Sequence, residues 1–395
     1  MKRFGVVMAG GGGTRFWPLS RRKNPKQFLN LTGDDVLINE AIDRLVPVSE
    51  NGEVFVVTGT DQAKQLMELA GKRLKASHVL KEPAARNTAA CIGLACVEII
   101  EKYGDSVMMV VPSDPAIGDV KEFQRLLEAA CEAAEEQDKI VTIGVKPTFA
   151  CTGYGYIRGE ETKDKGTEKV DIKSDPQEEK KDCDSCDSKK KCEKKEAPCE
   201  PLNPVQVIEF VEKPDKETAE KYLAAGCYYW NSGMFVFKAS LMLSLFEELL
   251  PDIFEKLSQI RSTVRTQAKE AVVRKVYPTI PKVSIDYGIM ERAASRGKVL
   301  VLPGSFGWSD VGSFPEMAAL HKADENGNIT FGDTLELETK DCVLYSGSRM
   351  LAALGVKDLV VVETEDAVLV CHKDSTQKIG KIVEQLKSLE RDELT

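Results

Sequence analysis

The sequence predicts an α/β protein: a mixed, mainly parallel sheet flanked by helices, followed by a small all-β unit. Three observations carry that expectation. Short β-rich runs alternate with stretches of helical period through the first half of the chain. A glycine-rich loop follows the first run directly. Beyond residue 321 the helical period gives way to brief apolar runs separated by Gly and Asp turns.

Phe4 to Ala9, Val54 to Thr58, Val107 to Val111 and Ile140 to Gly144 read as strands, because β-branched and aliphatic residues are continuous there. Thr88 to Lys102 and Val120 to Glu136 carry apolar residues at helical spacing. In sheets of this kind ligands sit beyond the carboxyl ends of the strands. After a linking helix at Phe314 to His321, the runs Ile329 to Phe331, Cys342 to Tyr345, Met350 to Leu354, Leu359 to Glu363 and Ala367 to Cys371 suggest a short β-helix. An amphipathic helix at Lys378 to Leu389 closes the chain.

The 395 residues, 42% of them hydrophobic, suffice for two or three packed units. We expect one unit over residues 1–320 and a second, β-rich unit over 321–395. Residues 163–200 are Lys, Asp and Glu with few aliphatic side chains, and read as a charged insertion at a strand connection. The formal net charge of -9 argues against nucleic-acid binding, which needs basic surface. Met1 to Ala9 runs into glycines instead of a long apolar segment, and no stretch has the roughly 18 apolar residues of a membrane span, so a soluble cytoplasmic protein without a membrane partner is expected.

Gly10, Gly11, Gly12 and Gly13, followed by Thr14, allow backbone N–H groups to surround a polyphosphate; the alternative is a flexible turn. The run fits neither the dinucleotide fingerprint nor the P-loop. Arg15 and Lys26 bring cations to the same turn and are candidates to neutralise phosphates, whereas Arg21, Arg22 and Lys23 read as a solvated basic face. Asp114, in Pro112-Ser113-Asp114-Pro115, ends an apolar strand, where an unpartnered carboxylate is costly and a metal ion would justify it.

Gly10 to Arg21 together with Pro25-Lys26-Gln27-Phe28 closely resembles the signature of the mannose-1-phosphate guanylyltransferases, a branch of the sugar nucleotidyltransferases. The resemblance covers most of the chain. It implies a Rossmann-like catalytic fold of the nucleotide-diphospho-sugar transferase type, with GTP and mannose 1-phosphate as substrates, GDP-mannose and pyrophosphate as products, Mg2+ as cofactor and a homodimer as assembly.

Residue by residue, the resemblance implies that Glu82, Asn87 and Thr88 lie beside the guanosine, in Glu82-Pro83-Ala84-Ala85-Arg86-Asn87-Thr88, with Ser113 also on the nucleotide. Asn87 and Thr88 could instead simply start the following helix. It makes Asp114 and Asp310, the latter within Gly307-Trp308-Ser309-Asp310-Val311-Gly312, the magnesium ligands, and Glu212-Lys213-Pro214 the sugar signature. Glu212 would bind sugar hydroxyls, Lys213 the sugar phosphate, Gly155 the sugar through its backbone, and Asn231 further hydroxyls. Asp286 either orients hydroxyls or caps a helix. Arg15, Lys26 and Lys213 become the catalytic cations. Rival readings are the same chemistry on another sugar 1-phosphate, such as a manno-heptose or glucose, and a non-catalytic GDP-mannose sensor.

Of eleven cysteines, seven sit mostly in apolar runs and read as reduced core residues. The other four, Cys183, Cys186, Cys192 and Cys199, are foreign to the family pattern. They either hold a structural zinc or iron–sulfur cluster or stand in a polar loop as isolated thiols. Some family members carry a further isomerase domain; with the sequence ending at Thr395, no phosphomannose isomerase activity is expected.

Overall fold

The computed structural model describes residues 1–11, 13–160 and 202–395. Its strands in chain order are β1 (Lys2–Ala9), β2 (Val54–Gly59), β3 (Val79–Glu82), β4 (Ser106–Pro112), β5 (Ala116–Ile117), β6 (Ile140–Val145), β7 (Tyr156–Gly159), β8 (Val205–Val211), β9 (Tyr228–Lys238), β10 (Val299–Gly304) and β11 (Trp308–Ser309). Nine of them form one sheet in the order β3-β2-β1-β4-β9-β6-β10-β8-β7. β3, β2, β1 and β4 run parallel, as do β6 and β10, whereas β9 is antiparallel to both β4 and β6. β7 and β8, on either side of the charged insertion, pair antiparallel.

Alternation along β1 shows how the sheet buries both faces. Phe4 and Val6 enter one apolar layer, with the helices Asn87–Tyr103 and Ala239–Leu249, while Val7 and Ala9 enter the opposite layer, with Leu37–Leu45 and Val120–Gln137. Cys91, Cys96 and Cys131 are buried in these layers; burial pushes the Cys131 thiol up to about 12, so it packs as a neutral hydrophobe.

Beyond the helix Phe314–Ala318 come β12 (Ile329–Phe331), β13 (Thr334–Leu337), β14 (Val343–Ser346), β15 (Leu351–Leu354), β16 (Leu359–Glu363) and β17 (Val368–His372). β12, β14 and β16 stack in parallel on one side and β13 and β15 on the other, which is a short β-helix. The helix Ile379–Ser388 then turns back onto the first unit: Ile379 and Val383 share an apolar cluster with Phe16 and Trp17 of the glycine-rich segment. No helix among the described residues is long and apolar enough to cross a membrane.

Candidate active site

β1 delivers Gly10 and Gly11 to the wall of a cleft of about 1070 Å³, which Thr14, Glu82 and Pro83 also line. Gly13 sits in the left-handed region (φ 57, ψ 39) and opens the single turn Thr14–Phe16. Its carbonyl accepts the Ser20 hydroxyl at 2.6 Å, folding the segment back on itself, and Gln27 Nε2 donates to the Ala9 carbonyl at 3.3 Å, tying its far arm to the strand end. Gly12 lies outside the described residues, as do Cys183, Cys186, Cys192 and Cys199. Arg15 is exposed, with Nη1 3.5 Å from where a Cβ on Gly312 would stand.

Lys26 is the junction of the site. Its side chain is 7% exposed, and Nζ donates to Asp114 Oδ2 at 2.9 Å and to the Asp310 carbonyl at 2.6 Å. A small ribbon brings these distant residues together: β5 follows Asp114, β11 precedes Asp310, and the two pair antiparallel with Ser309 opposite Ala116. Gly118 N donates to the Phe306 carbonyl at 3.1 Å, and a Cβ on Gly307 would lie 2.9 Å from Gly118 Cα, so the close approach of the chains excludes a side chain there. Val311, next to Asp310, is held at φ 45, an unusual position for a β-branched residue and a mark of a constrained site. Glu316 also belongs to this group. Its Oε2 accepts from Gly312 N at 2.6 Å, and burial followed by the Asp310 charge raises its carboxyl above the ordinary range.

Gly155, Glu212, Asn231 and Asp286 form a second group. Tyr156 pairs with Trp230, which pairs with Val145, and this places the β7 and β9 starts at the carboxyl end of β6. Asn231 N donates to the Gly155 carbonyl at 2.8 Å, and Asn231 Nδ2 donates to Asp286 Oδ1 at 3.0 Å. Lys213, at φ 49, is 60% exposed and pairs with Glu212 Oε1 at 3.1 Å. Burial, and then the nearby Glu212 charge, push the Asp286 carboxyl up to about 6.

That shift has a definite sign. A carboxyl titrating higher in the folded chain than at its ordinary 3.8 favours the fold fully below that value, and the contribution is lost as pH rises through about 6. Asp286→Asn keeps an acceptor for Asn231 and removes the titration. Its melting temperature relative to wild type is expected to climb between about pH 4 and 7 and to level off above; melting curves at matched pH that stay parallel would refute this.

Along the glycine cleft, Tyr277 donates its hydroxyl to Glu82 Oε1, and burial raises the Glu82 carboxyl. Glu82 Oε2 lies 3.6 Å from where a Cβ on Gly10 would stand, so it faces the cleft. Ser113 is buried, its N–H donating to the Met8 carbonyl at 3.1 Å. Asn87 and Thr88 do start the following helix: Asn87, left-handed at φ 66, is its first residue, and its Oδ1 accepts from the adjacent Thr88 N. Thr88 Oγ1 accepts from Ile285 N at 2.8 Å, joining this segment to the one carrying Asp286.

Arg21 is not part of a solvated face. Its guanidinium lies 5.2 Å from the Trp17 ring centroid and donates to Asp366 at 2.9 Å, while Nη1 is buried without a hydrogen-bond partner among the described residues. Sequence reasoning also missed Val383 and Lys387, which line the far wall of the glycine cleft. The Trp17 indole N–H donates to the Leu394 carbonyl at 2.8 Å and fixes the end of the chain against the signature segment.

A glycine cleft at the carboxyl edge of such a sheet, with a lysine bridging two aspartate residues beside it, defines a nucleotidyl-transfer fold. Residues 4–180 and 198–327 match the Nucleotidyl transferase family, and residues 332–386 match the MannoseP isomerase/GMP-like beta-helix domain. The chain is 37% identical to the xanthan biosynthesis protein XanB of Xanthomonas campestris pv. campestris over 99% of its own length and 74% of that protein. It is 35% identical to mannose-1-phosphate guanylyltransferase 2 of Escherichia coli O157:H7, over 98% and 74% respectively. A solved structure titled mannose-1-phosphate geranyltransferase, from Thermus thermophilus, superposes with a TM-score of 0.79 at 31% identity, covering 98% of this chain and all of that one. The chain therefore belongs to the nucleotidyltransferase family, in its mannose-1-phosphate guanylyltransferase-like branch.

Proposed function

We propose that the protein transfers GMP from GTP to α-D-mannose 1-phosphate in the cytoplasm, releasing pyrophosphate and GDP-mannose. The observation that carries this reading is the Lys26 ammonium, packed against the Gly13 turn and bonded to both the Asp114 carboxylate and the Asp310 carbonyl. Residues 1–320 form the catalytic unit and 321–395 the β unit of a homodimer.

A sugar phosphate oxygen is already anionic, so attack on the α-phosphorus needs no base: one P–O bond forms, the bond to the β-phosphate breaks, and pyrophosphate departs. The histidines agree with that. His78 is stacked on Phe55 with Nδ1 on the Val54 carbonyl, and His321 rests on the Leu31 carbonyl. Lys26 and Arg15 neutralise the phosphates, Lys213 releases Glu212 to hold the incoming phosphate, and Glu212 with Asn231 orients the sugar. Glu82, fixed by Tyr277, offers its free oxygen to the N–H groups of guanine.

The donor set suits magnesium, a hard cation that takes oxygen ligands and keeps water and phosphate. Asp114 is 43% exposed, with its second oxygen outside any hydrogen bond among the described residues, and it shares the Lys26 ammonium with the Asp310 carbonyl. Those two residues would hold the ion, which supplies charge neutralisation at the phosphates.

Pyrophosphate release measured across GTP, ATP, UTP and dTTP, each paired with mannose, glucose and manno-heptose 1-phosphates, tests the assignment. GTP with mannose 1-phosphate should be turned over fastest; GDP-mannose binding without release from any pair would replace it with a sensing role. Gly155→Ala tests the sugar side. Its Cβ would stand 2.4 Å from Glu212 Oε2 and 3.2 Å from Asn231 Cβ, so the KM for mannose 1-phosphate is expected to rise at least about 10-fold with that for GTP little changed.

A further inference from the structure

We propose that Tyr154 is a positioning residue that ties Asp310 to the sugar-side loop, so that cation binding and sugar-phosphate binding reinforce each other. The proposal rests on the reading of Asp310 as a metal ligand given above. Tyr154 donates its hydroxyl to Asp310 Oδ1 at 2.5 Å. The next residue, Gly155, gives its carbonyl to Asn231 N and faces Glu212. One dipeptide therefore reaches the cation side with its phenol and the sugar side with its backbone.

The surroundings fix the phenol in that direction. The Tyr154 ring meets Trp230 edge-on with centroids 5.1 Å apart, and Trp308 at 5.4 Å. Trp230 precedes Asn231, and Trp308 lies on the ribbon strand that leads to Asp310. Each ring neighbour thus belongs to one of the two groups the phenol connects. With Oδ1 held by Tyr154, the other Asp310 oxygen is turned toward Arg15 and Glu316: a Cβ on Gly312 would lie 3.1 Å from Asp310 Oδ2, 3.0 Å from Glu316 Oε2 and 3.5 Å from Arg15 Nη1.

A carboxylate held on one oxygen by a fixed donor presents the other in a set direction, which is how partners behind a ligand tune metal sites. When a sugar phosphate settles on Glu212 and Asn231, the 154–155 backbone is held, and with it the phenol and Asp310. By reciprocity the cation must then strengthen sugar-phosphate binding by the same factor.

The test is a binding cycle without turnover. Mn2+ binding is read from the electron paramagnetic resonance of the free ion, with α,β-methylene-GTP present, with and without mannose 1-phosphate, in wild type, Tyr154→Phe and Asp310→Asn. Phe keeps the ring contacts with both tryptophans, so circular dichroism and tryptophan emission should match wild type. Mannose 1-phosphate should tighten Mn2+ binding in wild type. In Tyr154→Phe the affinity should fall by about 10- to 100-fold and the tightening should disappear. Unchanged affinity and tightening in Tyr154→Phe, with Asp310→Asn defective, would overturn the role of Tyr154 alone. Normal Mn2+ binding in Asp310→Asn would overturn the metal assignment and this proposal with it.

Discussion

Lys26→Ala is expected to lower kcat by about 100- to 1,000-fold, the cost of losing about 3 to 4 kcal/mol of preorganised charge at the reacting phosphates. The ammonium is nearly buried, lies 5.8 Å from the Phe16 ring centroid and is already aimed by two oxygens, so it does not have to be ordered when substrate arrives. The fold should survive. Breaking an ion pair is severe when the remaining charge is sealed from water, but Asp114 is 43% exposed and water can replace the lost donor. Lys26→Arg should not restore the rate, because a planar guanidinium cannot send N–H groups to the same two oxygens from the same backbone position. Single-turnover rates and urea midpoints check both halves; wild-type turnover in Lys26→Ala would remove this residue from the chemistry.

Much of this site is local in sequence, and that part was legible. The glycine run, Asp114 at the end of β4 and the Glu212-Lys213 pair are each set by a strand end and a few adjacent residues. What could not be read are contacts between segments whose partners carry no mutual signal. β9 lies between β4 and β6 because both its faces are apolar, with Trp230, Phe235 and Phe237 among its buried residues, yet nothing in its composition says which strands it separates. Tyr277 looks like an ordinary core aromatic until the carboxylate it serves is in place, and the Tyr154-Gly155-Tyr156 run, though it resembles part of the sugar pocket, carries no sign that Tyr154 reaches Asp310. Val383 and Lys387 belong to an amphipathic helix whose period predicts packing, not the cleft it packs beside. β13 escaped notice because Leu335 and Leu337 alternate outward on a four-residue strand, too short a pattern to separate from a turn. Arg21 was misjudged because a run of three cations resembles solvated surface, while Trp17 and Asp366 hold it in.

Gly13→Ala should be nearly as damaging as loss of the lysine, although it removes no functional group. At φ 57 an alanine costs roughly 1 to 2 kcal/mol, too little to abolish activity. The larger effect is steric. The new Cβ would stand 2.3 Å from Lys26 Cβ, 3.2 Å from Lys26 N and 3.3 Å from its Cα, atoms that no change of rotamer can move. Either the glycine turn or the backbone of Lys26 must shift, and a displacement of about 1 Å at a reacting group is enough for a 100-fold loss. Gly11→Ala separates the two effects. It is also left-handed, at φ 117, but its Cβ would meet nothing within 4 Å, and it lines the cleft. Gly11→Ala should therefore act mainly on the KM for GTP and Gly13→Ala mainly on kcat. If both variants changed the same constant by the same factor, the clash with Lys26 could not be the cause, and the ammonium would owe its position to Asp114 and the Asp310 carbonyl alone.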